Sequence, residues 1–300
     1  MMRDYLLALF VLFGAMNLYA QSEAAVNVSQ GGYGLVRTNM SVGYDRSWST
    51  VRDCFDARVS YEFLTKRLFT LTANARYTTT ATAFDASDLS GGFSPDGIGL
   101  NGTHSFGQIG ITSTLRARFL GRPFLGMAMV NSEWGAGGFA RVSGIAMGLI
   151  MLRANERTQF GLGPLVLVNS CSRIPAFLVF MYRHRFNSRW MLNLYGGVLG
   201  IDYTPTRSDL ISIGADIDVK AFYFRPHDEN LPSRCRFTST SFRPGVKYRR
   251  QLVRNLYCDI HGGLSVRMSC RVNGVTGTHE WIKCHRKPSP FIHASISYAL

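Results

Sequence analysis

Residues 209–223 place Ile211, Ile213, Ala215, Ile217, Val219, Ala221 and Tyr223 at every second position, with Ser212, Gly214, Asp216, Asp218 and Lys220 between them. Successive side chains of a strand point to opposite faces, so this stretch has one continuous apolar face and one charged face. A soluble sheet covers its apolar face with a second layer. A membrane barrel turns that face to lipid and keeps the polar face on a closed interior.

The N-terminus favours export. Arg3, the apolar run Leu6 to Met16 and the small-residue site Leu18-Tyr19-Ala20 before Gln21 read as a signal peptide over residues 1–20. No Cys follows the site to carry a lipid anchor. The apolar run falls short of the roughly twenty residues that a spanning helix needs. Residues 21–32 are then expected as a periplasmic segment and 33–300 as one β domain. Net charge is +14, and Arg3 and Asp4 cancel, so the excess belongs to the mature chain.

The alternation recurs at 68–77, 109–119, 256–268 and 291–300, and more weakly at 36–44, 57–63, 123–131, 159–168, 176–186 and 236–249. Residues 142–152 are apolar on both faces, where periodicity does not separate a strand from a buried helix, and are read as a strand. Connections are short (64–67, 121–122, 153–157, 187–189, 205–208, 250–254) or longer (45–56, 80–104, 132–141, 226–235, 272–288), and between 64 and 190 the two kinds alternate with 170–174 in a long slot, as in barrels with short periplasmic turns and longer outer loops. Both termini on one side require an even strand number. Splitting 190–204 at Gly196-Gly197 into two short strands makes the count fourteen, with twelve as the alternative. The fold class expected is all-β, an antiparallel transmembrane barrel in a bacterial outer membrane; a secreted β-sandwich is the soluble alternative.

On this reading Cys54, Cys171, Cys235, Cys270 and Cys284 lie toward the outer end and Cys258 toward the other. An exported chain permits disulfides. At most two are expected, with Cys270–Cys284 or Cys235–Cys270 preferred, and buried thiols are the alternative. The spacing matches no zinc pattern.

The inward face carries Arg37, Arg58, Arg76, Arg116, Arg118, Arg183, Arg185, Lys220, Arg243, Lys247, Arg249 and Arg267 against Glu62, Asp202, Asp216, Asp218 and Asp259. An unpaired excess of this kind attracts anions into a porin-like lumen. The alternative is an interior filled by an ion-pair network, a plugged structural barrel. His293 and Ser295, two apart on one inward face, suggest a nucleophile–base pair and a lipid hydrolase as a third reading. No orienting acid is evident in the sequence. Asp85 and Asp88 lack the ligand spacing of calcium loops. Basic residues spread over many strands argue against nucleic acid as a partner. No metal or cofactor is expected. The expected partners are outer-membrane lipid and small anionic solutes.

The second half, 160–300, resembles an uncharacterised family of Gram-negative outer-membrane β-barrels. The residues that carry the resemblance are Tyr182-Arg183-His184-Arg185-Phe186-Asn187 through Trp190, Asn193-Leu194-Tyr195-Gly196, Tyr203-Thr204-Pro205, Phe222-Tyr223-Phe224-Arg225-Pro226, Phe242-Arg243-Pro244 and Lys247-Tyr248-Arg249-Arg250. It implies a barrel and its location, and no activity. Barrels of this kind end in an aromatic residue read by the assembly machinery. This chain ends Tyr298-Ala299-Leu300, and Ile292, Ala294, Ile296, Tyr298 and Leu300 keep the alternation of such a signal.

Overall fold

The alternating segments form strands through most of the computed structural model, which describes residues 38–48, 50–66, 68–90, 93–168, 176–195, 198–275, 280–283 and 288–299. In chain order they are β1 (Thr38–Ser47), β2 (Val51–Lys66), β3 (Phe69–Thr82), β4 (Gly102–Phe119), β5 (Arg122–Gly135), β6 (Phe139–Ala154), β7 (Thr158–Val168), β8 (Ala176–Arg185), β9 (Trp190–Tyr195), β10 (Val198–Tyr203), β11 (Asp209–Phe224), β12 (Cys235–Val253), β13 (Leu256–Gly274), β14 (Glu280–Lys283) and β15 (Pro288–Ala299). Every pairing is antiparallel. β1 pairs with both β2 and β15, and β13 with both β12 and β15, so fourteen strands close a ring. β14 stands outside it, paired only to the outer end of β13. Closure removes the unpaired backbone edge that lipid cannot tolerate.

The expected count of fourteen holds. Tyr195 pairs with Val198, so 190–204 is indeed two short strands; Gly196 and Gly197 lie outside the described residues, as do residues 1–37, Cys171, Cys284 and Leu300. Residues 142–152, apolar on both faces and expected as a strand although periodicity alone could not exclude a buried helix, are part of β6.

The outer surface is apolar where alternation predicts it. Val59, Ile111, Leu178, Ile213, Ile260 and Ile296 are exposed, Ile111 at 52% and Ile213 at 60%. Aromatic side chains ring both ends: Tyr44, Phe55, Tyr77, Trp134 and Phe139 near the long loops, and Phe63, Phe119, Phe186, Trp190 and Tyr298 near the short turns. An apolar band between two aromatic girdles is the surface of a barrel that crosses the outer membrane.

Two expectations fail. The connections expected at 45–56 and 132–141 are mostly strand, because β1, β2, β5 and β6 continue past the apolar band with acids on the inward face. Asp45, Asp56 and Glu133 are therefore lumen residues, and only 48–50 and 136–138 remain between strands. Nor does the apolar face of 209–223 meet lipid throughout. Ile217 and Tyr223 are each 1% exposed. β9 and β10 have six residues each, so among the described residues β11 has no partner on that side beyond Asp216. Released from the wall, its outer half leans inward. The Tyr223 ring lies 6.1 Å from that of Phe106 on β4, and its hydroxyl donates to Glu133 on β5.

Two apolar clusters lie inside the ring. One sits at the outer end, where Phe84, Leu89, Ile98 and Leu100 from the β3–β4 connection pack with Phe222, Phe224, Phe237 and Val272. The other lines β5–β9 with Met127, Met147, Leu149, Leu165, Val179, Met181 and Tyr195.

Candidate functional site: the charged lumen

Inward positions of β1, β11, β12, β13 and β15 converge on one ion-pair network. Its centre is Asp45 of β1, 5% exposed. Lys220 of β11 donates to its Oδ1 at 2.9 Å, and Arg243 of β12 donates to both of its oxygens, to Oδ1 at 3.2 Å. Arg243 also reaches Asp218 at 2.9 Å, and its guanidinium lies 4.5 Å from the Phe291 ring centroid. His293 Nδ1 stands 3.8 Å from Asp45 and His261 Nδ1 3.5 Å from Asp216. Lower down, Asp259 meets Arg249 at 2.7 Å and Lys247 at 3.7 Å. On the neighbouring wall Asp56 accepts from Arg58 at 2.5 Å and from Arg76 at 2.6 Å. Nearer the mouth Glu133 pairs with Arg141 at 3.1 Å and Arg236 at 3.6 Å.

Buried charges in a low-dielectric interior persist only when paired and hydrogen-bonded. That condition is met here by the acids Asp45, Asp56 and Glu133, all absent from the inward face as read from the sequence. Asp45 and Asp56 bring the middle of the lumen to near charge balance: Asp45, Asp56, Asp202, Asp216, Asp218 and Asp259 face Arg58, Arg76, Arg183, Lys220, Arg243, Lys247 and Arg249. The signal for the missing acids was their parity. Asp45 extends the inward positions Ser41 and Gly43, and Asp56 extends Arg58 and Ser60.

The remaining expected residues separate by height. Arg183 lies beside Met191, and Arg267 donates to the Thr50 hydroxyl near the outer end. Arg37 is outside the described residues. Arg116, with Arg118 and Arg185, is exposed at the turn end of the lumen, and none of the three meets a carboxylate among the described residues. The net charge of the described chain therefore concentrates at the short turns. Lys66, Arg122, Arg153, Arg157, Arg189, Arg207, Arg250 and Arg254 join those three there, against only Glu62, Glu156 and Asp209.

His293 and Ser295 both face the lumen and pack on Gly43, where an added Cβ would stand 3.0 Å from the imidazole and 3.3 Å from Ser295 Cβ. Asp45 is an acid beside His293 that the sequence did not reveal, but Lys220 and Arg243 already occupy it. No hydrogen bond joins Ser295 to His293 among the described residues.

Cys54 and Cys235 are free and buried, and Cys258 is free. The expected Cys235–Cys270 pairing is thus overturned: Cys270 is disulfide-bonded and Cys235 is free. Cys54 is also not a loop residue. It faces inward on β2, where the Thr80 hydroxyl lies 3.7 Å from its sulfur. Among the described residues no group of His, Cys, Asp and Glu has the geometry of a metal site.

No family model and no curated protein matches the chain. Among solved structures it is similar to the COG4313 outer membrane channel from Pseudomonas putida F1, at 9% identity over 91% of this chain and 98% of that one, with a TM-score of 0.44. It is also similar to the Salmonella typhi outer membrane phospholipase, at 10% identity over 91% and 96% with a TM-score of 0.35. A third is a Pseudomonas aeruginosa FadL homologue, at 9% over 87% and 88% with a TM-score of 0.37. The closed wall and its apolar outer face carry the assignment to an outer-membrane barrel.

Proposed function

We propose that this barrel is closed along its axis and holds small anions at its turn-side vestibule without passing them through. The observation that carries the reading is Asp45 bound to Lys220 and Arg243, which joins β1 to β11 and β12 across the lumen. Above that bridge the inward-leaning β11 and the outer apolar cluster fill the mouth. Below it Arg116, Arg118 and Arg185 retain unneutralised charge in a confined space, which concentrates anions.

Two measurements test this. Wild-type protein in planar bilayers is expected to show no steady conductance. Inorganic phosphate is expected to raise the temperature of its gel-mobility change, and a triple variant, Arg116→Gln with Arg118→Gln and Arg185→Gln, to lose that response. Stable ohmic channels in the wild type, or an unchanged phosphate response in the triple variant, would overturn the reading.

A further inference from the structure

The charge at the short turns has a second component that faces away from the lumen. Each of the six short turns carries an exposed cation: Lys66, Arg122, Arg157, Arg189, Arg207 and Arg254. None pairs with a carboxylate among the described residues. Arg122 donates to the Leu152 carbonyl at 2.8 Å, which fixes its stem along the neighbouring turn. The outer end differs. There Arg46 lies 3.9 Å from Asp53, Arg141 and Arg236 share Glu133, and the loops carry Asp85, Asp88, Asp96, Asp228 and Glu229.

We propose that these six side chains form a collar that binds the phosphate head groups of anionic phospholipids in the membrane leaflet facing the short turns. Three features select that partner. The cations are distributed one per hairpin around the circumference, with consecutive turns about 10 Å apart because neighbouring strands are spaced at about 4.8 Å. A ring meets an encircling layer of lipid, whereas a macromolecule docking from one side calls for a patch. They also sit next to the aromatic girdle of Phe63, Phe119, Phe186, Trp190 and Tyr298, which marks head-group level. Finally, Leu68, Leu120 (82% exposed) and Leu252 lie on the same turns beside the cations. Apolar tips flanked by basic groups match an interface of acyl chain and phosphate, and each basic residue near an anionic membrane surface adds attraction that salt screens.

The test reconstitutes the full mature barrel into vesicles of phosphatidylcholine alone or mixed with phosphatidylglycerol. The temperature of the gel-mobility change is expected to rise with the phosphatidylglycerol fraction, and the rise to shrink as sodium chloride increases. Substituting all six cations by Gln is expected to abolish the dependence on lipid charge. Glycerol phosphate added to phosphatidylcholine vesicles holding the Arg116→Gln, Arg118→Gln, Arg185→Gln protein, which lacks the vestibule cations, separates a lipid site from one for soluble phosphate, and no rise is expected there. Equal temperatures in the two vesicle types, or a full response in the six-fold variant, would overturn the proposal. Should that variant fail to fold, the wild-type comparison and its salt dependence decide. The vestibule reading depends on Arg116, Arg118 and Arg185, so either proposal can fail without the other.

Discussion

Lys220 Nζ and Asp45 Oδ1 lie 2.9 Å apart although 175 residues separate them in the chain. The contact joins the first strand of the barrel to the eleventh at the height where β11 leaves the wall. Asp45 also satisfies Arg243, so one carboxylate holds two buried cations. Replacing it leaves Lys220 without its hydrogen-bonded carboxylate and Arg243 with Asp218 alone, and breaking a buried pair typically costs about 3–5 kcal/mol. Asp45→Asn is expected to lower the temperature of the gel-mobility change by an amount of that order, while Asn39→Ala, on the same inward face near the turn end, leaves it nearly unchanged.

The inward-leaning hairpin of β11 and β12 is pinned at its tip. Arg234 donates to the carbonyls of Gly135, Gly138 and Phe139, and Tyr223 donates to Glu133. Hydrogen bonds to charged groups contribute about 1.5–3 kcal/mol each. Arg234→Ala combined with Tyr223→Phe is therefore expected to speed proteolysis within residues 225–234 of the folded protein and to produce transient openings in planar bilayers. Unchanged cleavage rates would show that the tip contacts do not hold the hairpin.

Where the barrel wall meets lipid, charge is costly and depends on depth. Ile111 faces outward in the middle of β4, while Thr112 beside it is 5% exposed and faces the interior. Ile111→Arg is expected to destabilise by about 2–4 kcal/mol in refolding titrations, as for a basic residue near the bilayer midplane. The same change at Phe119, beside the short turn, is expected to cost about 1 kcal/mol or less.

Strand packing leaves several glycines without room for a side chain, Gly163, Gly214 and Gly263 among them. A Cβ on Gly163 of β7 would stand 1.6 Å from the Gly148 carbonyl oxygen of β6, so Gly163→Ala forces the two strands apart. Overpacking of this kind costs about 1–3 kcal/mol. The variant is expected to give a smaller heat-resistant folded fraction, measured by gel mobility after refolding.

Thiol chemistry is a further check. Cys54 and Cys235 are 6% and 0% exposed. Both are expected to resist maleimide in the folded barrel and to react once it is heat-denatured. Peptide mapping without reduction is expected to find Cys270 in a disulfide and Cys54, Cys235 and Cys258 as thiols.

Much of the wall was legible because its determinants are local. Ile109 and Ile111 against Thr112 and Thr114, or Ile292 and Ile296 against His293 and Ser295, state in a few residues which face is which. The places where reading failed share a cause. Asp45, Asp56 and Glu133 lie where strands run past the apolar band, and charge there imitates a loop. Ile217 and Tyr223 have the right parity for lipid, yet the early end of β10, a feature of other strands, removes them from the wall.

Periodicity and residue counts were enough to read a barrel of fourteen strands with twelve as the alternative, the faces of most strands, the alternation of short and long connections and the excess of positive charge. Where that charge stays uncompensated was decided only by the tertiary structure. Parity assigns a side chain to the interior without specifying its neighbours, which depend on closure of the ring and on the inward lean of β11. Those two features bring Asp45 to Lys220 and Arg243, neutralise the middle of the lumen and leave the net charge at the short turns.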